Sequence, residues 1–142
     1  GRGRAVVNGR YVLDSYAVLA LLAGERGRDR VREILDEAAA GDIKVSMTWV
    51  NAGEIAYVVE RRWGKGRVYQ VLGALEATAV EMKDVGRELA LAAAEIKAGH
   101  ALAYADAFAA ALAKREGAVL VTGDPEFEQL EGEVMIEWLS TA

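Results

Sequence analysis

Ala118-Val119-Leu120-Val121 has no polar side chain on either side of its backbone. A strand turns successive side chains to opposite faces, so this run can rest only in a sheet covered on both sides. Other β-prone segments are Tyr11-Val12-Leu13, Ile43 to Met47, Thr78 to Met82 and Val134 to Leu139. Helical patterns separate them. Tyr16 to Ala23 follows the first, with Ser15 as the expected cap. Val31, Ile34, Leu35 and Ala38 form an apolar stripe ending near Gly41. Thr48 caps a helix expected to run to about Trp63, where Gly64-Lys65-Gly66 breaks it before another helix from Val68 to Ala77. Asp84 opens a long helix that stops around Gly99, and Tyr104 to Glu116 is alanine-rich and strongly helical. Pro125 suits the first position of a final short helix. Strands alternating with helices or helix pairs require crossover connections. The pattern predicts an α/β fold with a parallel sheet between helical layers.

At 142 residues, the chain has the length of one domain with a real core. Residues 1–8 are expected to be a loose, basic N-terminal extension that leads into no signal-like apolar segment. No run is apolar enough to cross a bilayer, and a cytoplasmic location is expected. The absence of cysteine excludes disulfides, thiolate metal sites and cysteine nucleophiles. A single histidine, His100, excludes His-rich metal sites, disfavours a Ser-His-Asp triad and reads as structural. The net charge of −5 is unlike that of a nucleic-acid binder. A cluster of four carboxylates would nevertheless account for most of it.

Four acids stand where structure alone explains them poorly. Asp14 ends the first strand, where an open α/β sheet places its ligand crevice. Asp124 follows Val121 through Thr122 and Gly123 and so occupies the matching place on the fourth strand. If these strands are neighbours, the two carboxylates meet. Asp106 is the only charge between Ala101 and Ala113, within an apolar helix where an unpaired charge is costly. Glu54 lies among small and apolar residues in Val50-Asn51-Ala52-Gly53-Glu54-Ile55-Ala56. Taken singly, Asp14 also reads as a turn residue, Asp124 as a cap and Glu54 as a solvated helical acid. Together they suggest a site for Mg²⁺ or Mn²⁺, hard cations that prefer carboxylate oxygens.

Val12-Leu13-Asp14-Ser15, Asn51-Ala52-Gly53-Glu54-Ile55, Tyr104-Ala105-Asp106-Ala107 and Leu120-Val121-Thr122-Gly123-Asp124-Pro125-Glu126-Phe127 occur in that order across nearly the whole chain. In this the chain resembles PIN-domain ribonucleases, and among them the VapC-like toxins of VapBC toxin–antitoxin pairs. The resemblance implies a three-layer α/β/α sandwich with strand order 3-2-1-4-5. It also implies a pocket of Asp14, Glu54, Asp106 and Asp124 holding one or two divalent ions, with Ser15, Thr122 and Asn51 in support. The expected activity is metal-dependent endoribonucleolytic cleavage, the expected partners a VapB-like antitoxin and a second copy in a homodimer. Asp14 and Asp124 are the expected principal metal ligands, with Asp106 a ligand directly or through water. Glu54 is expected to bind a second ion or orient the attacking water.

Arg61, Arg62, Lys65 and Arg67 cluster after the Glu54 helix, with Trp63 and Tyr69 nearby, and could track an RNA backbone. They also read as an ordinary solvated helix end. Two further readings share the resemblance: a PIN-domain RNA-processing nuclease outside any toxin–antitoxin pair, and a non-catalytic PIN-fold binding module. A phosphatase of the haloacid-dehalogenase type would need a second aspartate where Tyr16 stands. A P-loop enzyme would need a phosphate-binding signature that is absent here.

Overall fold

The structure, a computed structural model, describes residues 9–139, so the expected N-terminal extension lies outside the described residues. Strands β1 (Arg10–Leu13), β2 (Lys44–Thr48), β3 (Glu81–Lys83), β4 (Val119–Thr122) and β5 (Ile136–Trp138) form a parallel sheet in the order β3-β2-β1-β4-β5. This is the expected α/β/α sandwich. The helices are α1 (Ser15–Ala23), α2 (Arg28–Ala39), α3 (Trp49–Trp63), α4 (Lys65–Glu76), α5 (Arg87–Gly99) and α6 (Tyr104–Glu116), with a 3₁₀ turn at Pro125–Leu130.

The sheet divides the core in two. Val12 and Leu120 face a layer built from α5, α6 and the 3₁₀ turn, including Leu89, Phe108, Leu112 and Phe127. Tyr11, Leu13, Val119 and Val121 face the other way, onto Val18, Val31, Ile34, Ile55 and Val59. All four residues of β4 are buried, as an apolar strand covered on both faces requires. Helix α6 achieves close packing with small side chains: Ala107, Ala109, Ala110, Ala111 and Ala113 are all buried. A bidentate ion pair fastens α2 to β5. Arg30 Nε donates to Glu137 Oε2 at 2.6 Å and Nη2 to Oε1 at 3.1 Å.

Several boundaries differ from the sequence reading. Asp14 rather than Ser15 caps α1, and Ser15 is the helix's first residue. Gly64, at φ 92°, separates α3 from α4 without help from Gly66, and α4 begins at once with Lys65. Strand β3 starts three residues later than Thr78. The Thr78 hydroxyl donates to Leu75 O and accepts from Val80 N–H, holding that segment as a turn. Helix α5 begins at Arg87 after Gly86, not at Asp84.

Candidate functional site

The pairing of β1 with β4 sets Leu13 opposite Val121. The next residues, Asp14 and Thr122, therefore leave the carboxyl edge of the sheet side by side. Asp14 Oδ1 accepts the Ala17 N–H at 2.9 Å, and Oδ2 accepts the Thr122 hydroxyl at 2.5 Å. Thr122 Oγ1 in turn accepts the Asp124 N–H at 3.0 Å, and Asp124 Oδ1 accepts the Glu126 N–H at 2.9 Å. One hydroxyl thus ties both strand-end acids to one frame.

Two helices bring the other acids. Asn51, fully buried in the first turn of α3, accepts the Thr48 hydroxyl at 2.6 Å and donates through Nδ2 to Ala105 O at 3.0 Å. This bond joins the start of α3 to the start of α6 and fixes the backbone beside Asp106. One turn beyond Asn51, Glu54 Oε1 accepts the Ser15 hydroxyl at 2.5 Å. Ser15 therefore orients Glu54 instead of capping α1. Asp106, Asp124 and Glu126 each offer a carboxylate oxygen, and these oxygens lie within 4.8 Å of one another.

The electrostatics follow from burial and crowding. Burial pushes the Asp14 carboxyl up from 3.8 to about 7, against the bonds from Thr122 and Ala17, with Asp124 and Glu54 adding repulsion. Asp106 rises from 3.8 to about 8, first through burial and then through Asp124, Asp14, Glu54 and Glu126. Among the described residues no Lys or Arg pairs with any of these five acids. Their donor set is all carboxylate oxygen, which suits Mg²⁺ or Mn²⁺ and excludes a soft-metal preference.

Residues 11–133 match the PIN domain family. The chain belongs to that family. PIN-fold structures resemble it over nearly their full length. VapBC from Salmonella typhimurium bound to DNA has 20% identity and a TM-score of 0.71, covering 92% of this chain and 98% of that one. VapBC2 from Rickettsia felis bound to a promoter DNA fragment has 19% identity and a TM-score of 0.69, with coverages of 90% and 97%. VapC20 from Mycobacterium tuberculosis, a toxin that cleaves the sarcin–ricin loop, has 18% identity and a TM-score of 0.68, with coverages of 89% and 96%. No curated protein matches the sequence. No helix among the described residues is long and apolar enough to cross a membrane.

In this PIN domain the four acids singled out from sequence converge, and Ser15, Thr122 and Asn51 contact or position them. Glu126 was missed. It follows Asp124 across Pro125, and only the 3₁₀ turn brings its carboxylate back toward Asp106. The basic residues are split. Helix α3 is continuous from Trp49 to Trp63, so Arg61 lies on the same face as Glu54, about 10 Å along the axis. Lys65 and Arg67 belong to α4, beyond the Gly64 break. All four cations are exposed, Arg61 over the Tyr57 ring at 5.6 Å and Arg62 over Trp63 at 6.0 Å. His100 is structural in the way expected, with Nδ1 2.8 Å from Ile96 O, and it has an unforeseen partner in Glu133, 3.0 Å from Nε2.

Proposed function

We propose that this PIN domain is a divalent-metal-dependent endoribonuclease and the toxin of a toxin–antitoxin pair. The observation that carries the reading is the meeting of Asp14, Asp106 and Asp124, with Glu54 alongside, at one sheet edge with no cationic side chain of the described residues paired to them. Asp14 and Asp124 would hold one Mg²⁺ or Mn²⁺ ion, with Asp106 and Glu126, whose carboxylates lie close to that of Asp124, completing the acidic donor set. A second ion would lie toward Glu54. Such an ion supplies an activated water and neutralises charge on the phosphoryl oxygens. The chain's own residues supply orientation. Thr122 and the Ala17 N–H fix both oxygens of Asp14, and Thr122 also holds the backbone of Asp124. Ser15 binds Glu54 Oε1, leaving Oε2 to accept a proton from the attacking water.

RNA reaches the pocket along the exposed cations Arg61, Arg62, Lys65 and Arg67, where Tyr57, Trp63 and Tyr69 offer aromatic surface. The similarity to VapBC complexes supports an antitoxin of VapB type as the protein partner, and a homodimer is the proposed working form. Incubating the purified chain with RNA, with Mn²⁺ or with EDTA, tests the chemistry. Cleavage should need the metal and disappear in Asp14→Asn. Metal-independent cleavage, or full activity of that variant, would remove the assignment. Expression in a bacterial host should arrest growth unless Asp14 is changed. Cleavage without growth arrest would favour an RNA-processing nuclease outside a toxin–antitoxin pair.

A further inference from the structure

Tyr16 is the second residue of α1, two positions after Asp14, and its side chain is 38% exposed. Its ring lies on the backbone of Gly123, the residue before Asp124. A β-carbon built on Gly123 would fall 2.3 Å from Tyr16 Cε1, 2.6 Å from Cζ and 2.8 Å from the hydroxyl oxygen. No side chain larger than hydrogen fits there while the ring stays where it is. Gly123 carries no positive φ, so a side chain there is opposed by the ring of Tyr16 and not by backbone conformation. The phenol therefore covers the backbone between Thr122 and Asp124, while its own α-carbon lies two residues beyond Asp14. Its hydroxyl has no hydrogen-bond partner among the described residues. More than a third of this aromatic residue is open to solvent beside the strand-end acids.

We propose that Tyr16 is a stacking platform for a nucleobase next to the scissile phosphate, so that it sets substrate affinity and base preference at the cleavage point. This rests on the nuclease reading above. An acidic pocket repels the RNA backbone, and contact with the neutral face of a base is one interaction there that works against no charge. Stacking on an aromatic side chain tolerates any base but favours those with larger π-faces. Tyr16 should accordingly favour a purine at the contacted nucleotide. The platform is a substrate-contacting residue and holds no metal.

Binding of a labelled single-stranded RNA in EDTA, where turnover is stopped, tests the proposal together with cleavage in Mn²⁺. Tyr16→Ala should weaken binding by about 5- to 100-fold, the range expected for one stacked base. Tyr16→Phe and Tyr16→Trp should bind within severalfold of wild type. The loss in Tyr16→Ala should vanish with an oligonucleotide made abasic at the contacted position. Mn²⁺ should raise the melting temperature of Tyr16→Ala as it does that of wild type, which also shows that the variant is folded. Gly123→Ala should displace the ring and weaken binding in the wild-type background but add nothing to Tyr16→Ala. Equal losses in Tyr16→Phe and Tyr16→Ala would transfer the role to the hydroxyl and overturn stacking. Unchanged binding in Tyr16→Ala, or additive losses with Gly123→Ala, would overturn it as well. If wild type neither binds nor cleaves RNA, the nuclease reading itself fails. If wild type does both and Tyr16→Ala matches it, only the role of Tyr16 fails.

Discussion

Replacing Asp14 by Asn should make the metal-free protein more stable at alkaline pH while destroying its activity. Asp14 is 1% exposed, and its carboxyl is raised from 3.8 to about 7 chiefly by burial. Between those values the folded chain keeps a proton that the unfolded chain has lost, so stability falls as pH rises through the window. Above pH 7 the full effect is a destabilisation of about 4 kcal/mol, at roughly 1.4 kcal/mol for each pH unit of displacement. Asn keeps an oxygen for the Ala17 N–H but cannot accept the Thr122 hydroxyl through its amide nitrogen. That missing bond costs about 1 kcal/mol. The expected net gain is about 3 kcal/mol at pH 8, a rise in melting temperature of roughly 10 °C for a domain of this size. At pH 5 most of the Asp14 effect has not yet developed, and the gain should shrink to about zero.

Urea unfolding in EDTA at pH 5 and pH 8, for wild type and variant, measures both numbers. Asp106, raised to about 8, should leave a residual downward slope in the variant. A variant less stable than wild type at pH 8, with the same pH slope, would show that Asp14 ionises freely and is an ordinary capping residue. The crowded carboxylates would then call for no cation.

Other outcomes follow from the same geometry. Mg²⁺ or Mn²⁺ should stabilise wild type by about 2.7 kcal/mol at a hundredfold excess over Kd, and this should vanish in Asp14→Asn/Asp124→Asn. Thermal melts with and without metal would show it. Changing Arg61, Arg62, Lys65 and Arg67 to Gln should flatten the salt dependence of RNA binding, by roughly 0.7 in log–log slope for each phosphate no longer neutralised. An unchanged slope would mark a plain solvated helix end. Glu137→Ala should cost about 1–3 kcal/mol in urea unfolding, because it removes both hydrogen bonds from Arg30 to β5 while Glu33, 2.7 Å away, still pairs the guanidinium. Asn51→Ala should lower cleavage more than it lowers RNA binding, since it frees the α6 start beside Asp106. Equal losses in the two assays would point to a general loosening of the fold.

The sheet was legible in the sequence because each strand carried its own burial pattern and the helices between allowed only parallel connections. What the sequence hid depends on contacts between distant residues. Asp14 and Ser15 are adjacent and both able to cap a helix. The choice was made by Glu54, 39 residues away, which takes the Ser15 hydroxyl and leaves the cap to Asp14. The late start of β3 reflects a competition in which the Thr78 side chain bonds the backbone more readily than a sheet neighbour does. Glu126 was illegible for a similar reason. A glutamate after Asp-Pro reads as a solvated first-turn acid, and nothing local says that the turn folds it toward α6.

Glu137 shows what a buried acid looks like when its purpose is structural. It is 3% exposed, nearly as buried as Asp14, and both lie at or beside the central strands. Yet Glu137 is gripped at both oxygens by Arg30, a charged donor. Asp14 receives only a hydroxyl and a backbone N–H, which orient the carboxylate without neutralising it. Asp106, 6% exposed, receives no cation from the described residues either. Both kinds of burial occur in this chain, since Arg30 of α2 reaches β5. Selection for stability alone would replace a buried carboxylate by an apolar side chain or leave it paired, since an unpaired one is costly. The carboxylates of Asp106, Asp124 and Glu126, crowded at one edge with Asp14 beside them and no cation from the described residues, form a group that could hold a metal ion.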